Sequence, residues 1–233
     1  ICSKSCARVI QRFSSIFFKN PRRYCLSYLF LKSLKQLFYF YALIKDYYND
    51  IMEFRPTHIE GVIEIIPRVF GDERGYFFES YQRELFVANG ITEEFVQDNQ
   101  SYSTKGVLRG LHLQHAPYAQ GKLVRVIAGK VLDVAVDVRP NSPTLGQYVA
   151  VELSTEKHNM LYIPPGLAHG FLTLEDAIFS YKCTNLYHKA SEDGVRWDDA
   201  TIGIDWGIAN PLVSDKDKIL PSFTEFMESL SKR

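Results

Sequence analysis

Lys130-Val131-Leu132-Asp133-Val134-Ala135-Val136-Asp137-Val138 places Leu132, Val134, Val136 and Val138 on one face of an extended chain and Asp133 and Asp137 on the other. Such period-two alternation is the signature of a strand inside a sheet. Working outward, short runs bounded by Gly, Pro, Asn and Asp repeat the pattern: residues 95–100, 107–114, 122–127, 148–153, 160–163, 170–174 and 178–183. The Ala128-Gly129-Lys130 step, the cluster from Pro140 to Pro143 and Pro164-Pro165-Gly166 read as turns. Before the C-terminus one helix is expected, Tyr81 to Ala88, with Ser80 as its cap, Glu84 near its first turn and Gly90 after its end. Many evenly spaced short strands with so little helix predict a double-sheet jelly roll or barrel.

The chain of 233 residues suffices for one domain with an extension, and its neutral total charge hides an asymmetry. Residues 1–51 hold nine Lys/Arg against Asp46 and Asp50, which leaves 18 bases and 25 acids for the other 182 residues. A segment of +7 therefore joins a body of −7, and an acidic body argues against nucleic-acid binding. The first segment begins with Ile1, precedes the first methionine, Met52, and holds Cys2, Cys6 and Cys25. The expectation is a basic leader over 1–51, not native or disordered, before a domain over 52–233. A targeting peptide or a membrane-surface helix over Tyr24 to Ile44 are the competing readings, with Lys32 and Lys35 disfavouring a membrane span. The body keeps one cysteine, Cys183, which suits a reducing compartment and makes the cytoplasm the expected location.

Candidate chemistry gathers around Arg109-Gly110-Leu111-His112, followed ten residues later by Lys122 and far downstream by Tyr181 and Asp217. A titratable imidazole and a cation on neighbouring extended segments suit proton abstraction beside a carbonyl. Each residue alone also has an ordinary reading: a hydrogen-bonded strand histidine, a strand-edge lysine, a core tyrosine, a solvated loop acid. No glycine-rich phosphate loop is present, so arginines would have to hold a phosphate.

Phe70-Gly71-Asp72-Glu73-Arg74-Gly75-Tyr76-Phe77-Phe78-Glu79-Ser80, Phe95 to Ser101, Gly106 to His112, Ile163 to Phe171 and Ser214-Asp215-Lys216-Asp217 occur in an order that resembles the dTDP-4-dehydrorhamnose 3,5-epimerase family of the cupin superfamily. The resemblance runs from Met52 to about Phe226. It implies an all-β, cupin-type antiparallel jelly-roll barrel with one or two short helices. It implies an isomerase without cofactor that epimerises C3 and C5 of dTDP-4-dehydro-6-deoxy-D-glucose, and a homodimer.

By the same resemblance His112 is the base, oriented by Asp217, Lys122 stabilises the enolate oxygen and Tyr181 returns the proton on the other face. Arg74, Phe77, Glu79, Gln97, Asn99, Arg109, His169, Tyr187 and Lys216 would bind the substrate, part of them across the dimer two-fold, with Phe77 offering a face to the pyrimidine. Other readings stay open: a single-site epimerase of another nucleotide-linked 4-keto sugar, or a metal-dependent or sugar-binding cupin. The metal reading requires a Glu where Lys122 stands, and an ammonium repels a cation, so no metal is expected. His169 is then a neighbour of the base or a hydrogen-bond donor to the sugar. Trp197 and Trp206 are expected to pack at one end of the barrel.

Overall fold

In the computed structural model, the described residues are 51–232; the expectations for a leader fall on residues outside them, apart from Ile51. Strands dominate: β1 Met52–Pro56, β2 Ile63–Pro67, β3 Phe70–Asp72, β4 Gly75–Phe77, β5 Gln97–Ser103, β6 Val107–Gln114, β7 Lys122–Asp137, β8 Tyr148–Ser154, β9 Met160–Ile163, β10 Leu167–Cys183, β11 Glu192–Gly194 and β12 Leu212–Val213. Among the described residues three short α-helices accompany them: α1 Arg83–Ala88, α2 Asp215–Lys218 and α3 Phe223–Leu230. The helix expected from Tyr81 thus starts at Arg83, and its N-cap is Gln82 with no side-chain bond, so Ser80 does not cap it. Of the three helices, α2 has only four residues and no periodicity to display in the sequence. Among the described residues no helix is long and apolar enough to cross a membrane.

Two strands organise the rest. The residues read as two strands at 122–127 and 130–138 are one strand, β7, and those at 170–174 and 178–183 are likewise one, β10. Ala128-Gly129-Lys130 is a bend inside β7 rather than a turn. The paired strands shift register there, between Thr173 and Glu175, Glu175 and Ile178, and Ile178 and Phe179. Gly129 sits at φ +80°, and a Cβ on it would lie 2.0 Å from the carbonyl oxygen of Asp176. A side chain at that point would force the two strands apart, which is why the bend requires glycine.

The bend lets one strand pair serve two layers. One arm of β7 and β10 belongs to the order β1-β2-β9-β7-β10, with β5 added on β10 over residues 97–103. The other arm carries β8 on β7 and β6 on β10, with β11 and β12 on β6. Pairing is antiparallel except where Leu212 and Val213 run parallel to β6.

Between the arms lies an apolar interior of Val124, Val126, Val131, Ala135, Leu161, Phe171 and Phe179 among others. The outer face of the first arm is covered by α1 through Leu85 and Phe86, packed with Met52, Ile65, Leu123 and Met160. The outer face of the second is covered by the C-terminal segment, with Val195, Trp206 and Phe226 against Leu111, Val134 and Val136. Trp206 donates Nε1–H to Trp197 O at 2.9 Å, and both tryptophans pack in this cluster. Both faces of β7 are therefore buried, and Asp133 and Asp137 are fully buried rather than solvated. Asp137 survives there by accepting hydrogen bonds from Arg139 N and Nε, Ser142 Oγ and Thr144 Oγ1, which also hold the following turn.

A second close approach positions the chemistry. Gly110 on β6 sits at φ +126°, and a Cβ on it would be 2.5 Å from Gly170 Cα, while a Cβ on Gly170 would be 2.6 Å from Arg109 O. The two glycines let β6 and β10 touch backbone to backbone, so that His112 becomes the direct cross-strand partner of His169. Gly110→Ala is expected to destabilise the protein by more than ~2 kcal/mol in urea unfolding, since strain and collision add. Gly90→Ala is the control: Gly90 has φ +90° but open space around its missing Cβ. That variant should cost only about 1 kcal/mol; equal losses for the two variants would show that the strand contact does not matter.

Candidate active site

A cavity of about 350 Å³ opens beside this contact, lined by Gln97, Asn99, His112, Leu113, Gln114, Gln120, Lys122, Tyr181, Tyr187 and Glu192. Its walls come from five strands, β5, β6, β7, β10 and β11, and from the chain between β6 and β7 and between β10 and β11. His112 stands on β6, which pairs with the second arm of β10, whereas Tyr181 stands on the first arm, opposite Asn99 of β5 and Val124 of β7. The bend in β10 thus brings His112, on the strand paired to one arm, and Tyr181, on the other arm, to one cavity from different layers.

His112 Nε2 lies 2.8 Å from Asp217 Oδ1. The sequence places Asp217 there through Ser214, the N-cap of α2, whose hydroxyl accepts from Asp217 N at 3.1 Å. The other carboxylate oxygen accepts Gly110 N–H at 3.2 Å, so the backbone beside the glycine contact also fixes the acid. Burial works to raise the Asp217 carboxyl, but the hydrogen bonds and charge of its partners outweigh it and hold it below the usual carboxylate range. A carboxylate so placed accepts from Nε2–H, which leaves Nδ1 as the basic nitrogen of a neutral His112.

Behind the dyad lies a second one. His169 is 7% exposed and its Nε2 is 2.9 Å from Asp133 Oδ2. Burial is the main cause that pushes the His169 imidazole below its ordinary value, with Asp133 opposing. His169 does not line the cavity; it is the cross-strand neighbour of His112. Asp133 Oδ1 is buried without a hydrogen bond, and its charge acts on Lys122. Lys122 is only partly buried by surface area, yet the desolvation of its ammonium pushes it below the usual lysine value, offset by Cys183, Asp133 and Glu192. Burial raises the Tyr181 phenol above its ordinary value, so Tyr181 holds its proton at neutral pH.

Of the residues singled out in the sequence, Gln97, Asn99, His112, Lys122, Tyr181 and Tyr187 share the cavity, with Asp217 directly behind it. Lys216 reaches the rim indirectly, through a 2.6 Å ion pair with Glu192, which also accepts from the Tyr187 hydroxyl at 2.9 Å. Arg109 is exposed and donates from Nε to Ser103 Oγ at 3.0 Å. Arg74 and Phe77 do not line this cavity. They belong to the separate β3–β4 hairpin, where Arg74 pairs with Asp72 and Phe77 is 64% exposed. Glu79 follows that hairpin, with Oε2 buried and unbonded.

Four contributors escaped the sequence reading: Gln114, Gln120, Glu192 and Asp133. Gln114 could have been found, since it lies two residues after His112 on the same face of β6. Asp133 also carried a signal, an acid amid the valines of a strand that had to be buried. Gln120 sits in irregular chain and Glu192 opens the three-residue strand β11, too short to show a period, so neither carried one. Among the described residues no group of three His, Cys, Asp or Glu could hold a metal ion.

Residues 56–225 match the family model described as dTDP-4-dehydrorhamnose 3,5-epimerase. A dTDP-4-dehydrorhamnose 3,5-epimerase of Shigella flexneri is 56% identical over 163 residues, 69% of this chain and 90% of that protein. Among solved structures, dTDP-6-deoxy-D-glucose-3,5-epimerase RmlC from Legionella pneumophila, in complex with dTDP-4-keto-L-rhamnose, is 47% identical with a TM-score of 0.72. It covers 74% of this chain and 93% of its own. The 3'-monoepimerase ChmJ from Streptomyces bikiniensis, in complex with dTDP-quinovose, is 34% identical with a TM-score of 0.71, covering 76% and 90%. With the jelly roll and its order of motifs already in place, these likenesses settle the affiliation: the chain belongs to the dTDP-4-dehydrorhamnose 3,5-epimerase family.

Proposed function

We propose that the protein epimerises C3 and C5 of dTDP-4-dehydro-6-deoxy-D-glucose, giving dTDP-4-dehydro-L-rhamnose, without a cofactor. The observation that carries this reading is the convergence of an Asp-oriented imidazole, a desolvated ammonium and a protonated phenol on one cavity. His112 Nδ1 removes the proton from the carbon beside the C4 ketone. The C–H electrons form the enolate, whose negative oxygen is stabilised by Lys122. Tyr181 then delivers its hydroxyl proton to the same carbon from the other face, which inverts it. The phenolate regains a proton from solvent and the imidazolium releases one, so the enzyme returns to its starting state. Both C3 and C5 adjoin the ketone, and one set of groups serves each in turn.

The nucleotide half of the substrate needs cations and a flat apolar face. Arg74 and Phe77 have both properties but lie off the cavity of their own chain, on a hairpin whose Phe70, Tyr76 and Phe77 rings are exposed. This favours a homodimer in which the hairpin, with Glu79 behind it, completes the partner's site. Gln97, Asn99 and Tyr187 serve from within the chain, Arg109 and Lys216 from its margins, and His169 from behind the base. The cytoplasm is the fitting compartment, since Cys183, the one cysteine among the described residues, is an unbridged buried thiol. Epimerisation at a single carbon is the second reading, favoured by the 34% identical 3'-monoepimerase.

Turnover in deuterium oxide tests the assignment. The wild type should incorporate deuterium at both C3 and C5, and label at one carbon alone would select the narrower activity. His112→Ala should lose about 10²- to 10⁴-fold in both exchange and product formation. Tyr181→Phe should keep exchanging deuterium while forming little inverted product, because abstraction and return then use the same face. Equal loss of exchange and inversion in Tyr181→Phe would remove Tyr181 from the proposed role. Lys122→Gln should lower kcat by about 10²- to 10³-fold, the scale expected on removing one group that stabilises an oxyanion.

A further inference from the structure

The chain from Asn185 to His188 carries Tyr187 to the cavity, and four carboxamide side chains bind its backbone. Gln120 Nε2–H donates to Asn185 O at 2.7 Å, and Leu186 N–H donates to Asn185 Oδ1 at 2.9 Å. Tyr187 N–H donates to Gln97 Oε1 at 2.9 Å. Gln114 does most: Nε2 donates to Leu186 O at 3.2 Å and to Tyr118 O at 2.7 Å, while Oε1 accepts His188 N–H at 2.7 Å. Its side chain is thus bonded to both loops at the cavity rim, and the residue is 5% exposed. Above it the rings of Tyr118 and His188 stack at 3.8 Å with 11° between their planes.

We propose that Gln114 is a positioning residue for substrate binding, fixing the Tyr187 loop at a set height above the strand that carries His112. The inference rests on the epimerase reading for its substrate, the nucleotide-linked keto sugar. Gln114 stands two residues from His112 on β6, so the reference frame of the base and the frame of the rim are one strand. The Tyr187 ring is 54% exposed and gains little from packing, so its backbone must be held from below. Only a carboxamide fits the three bonds. An alanine would leave two carbonyls and an N–H without this partner, and a carboxylate would set negative oxygens against Leu186 O and Tyr118 O without a hydrogen to donate.

Steady-state kinetics on the dTDP-linked 4-keto sugar, with trypsin cleavage at the exposed Lys189 as a second readout, tests the proposal. Gln114→Ala should raise KM about tenfold and lower kcat by less, and Gln114→Glu should raise KM further. Both variants should be cut faster after Lys189 than the wild type. Unchanged KM and cleavage in variants that melt like the wild type, or a loss confined to kcat, would overturn the role. Should Gln114→Ala fail to fold, Asn185→Ala decides: it removes the bonds to Leu186 N and Pro117 O in the same latch and should move KM and cleavage in the same direction. A wild type without turnover would refute the epimerase reading itself, whereas the cleavage comparison needs no substrate and judges the latch alone.

Discussion

The fold and the site both depend on the bend shared by β7 and β10. A strand pair that continues through Gly129 without breaking can pair with β9 and β5 on one side of the bend and with β8 and β6 on the other. The two arms then face each other across a single interior, and any side chain pointing inward from either arm meets the same volume. His169 and Tyr181 sit on one strand yet belong to different layers for this reason. A chemistry that requires proton removal and return on two faces of one carbon needs groups approaching from different directions, and a bent strand supplies them without a mobile element.

Covering both outer faces has an electrostatic consequence. With α1 over one arm and the C-terminal segment over the other, charged groups on the inner strands have little water to solvate them. Each is retained only where a partner compensates, as with Asp217 between His112 and Gly110, or Asp133 beside His169. Lys122 has no such tight partner; its ammonium is balanced by the more diffuse charge of Asp133, Glu192 and the Cys183 thiol. An underbalanced cation in a low-dielectric wall attracts a developing anion more strongly than a surface lysine would. In the proposed mechanism, the same burial that lowers the lysine suits it to an enolate.

The alternation around Asp133 and the strands at Val107 and Met160 were legible because residues there obey one local rule, inward apolar and outward polar. The merging of four predicted strands into two was not, since a glycine at positive φ looks the same in a hairpin turn and in a strand bend. What separates them is whether the flanking strands pair with each other or with third parties, and that is a long-range property. The N-terminus of α1 slipped by two residues because Ser80, an ordinary capping residue by type, makes no cap when the helix is fixed instead by burying Leu85 and Phe86. In the site, His112, Lys122 and Tyr181 lie on long strands whose alternation can be read. Gln120 lies in irregular chain, which has no period from which to read a facing, and Glu192 opens β11, whose three residues are too few to show one.

The site divides by the kind of element that carries each task. The groups proposed to move protons or stabilise charge, His112, Lys122 and Tyr181, are on strands locked by ladders on both sides, where displacement would cost several backbone hydrogen bonds. Tyr187, at the rim, is on chain with no ladder, where position depends on side chains. That those side chains are carboxamides follows from the charges nearby: Lys122, Glu192 and Asp217 already set the field in and around this cavity, and an ionised latch would add to it. A neutral amide binds two carbonyls and an N–H at once while leaving that field alone. The rim can therefore be shaped to its substrate without retuning the groups that do the chemistry, a separation that a lysine or glutamate at position 114 would abolish.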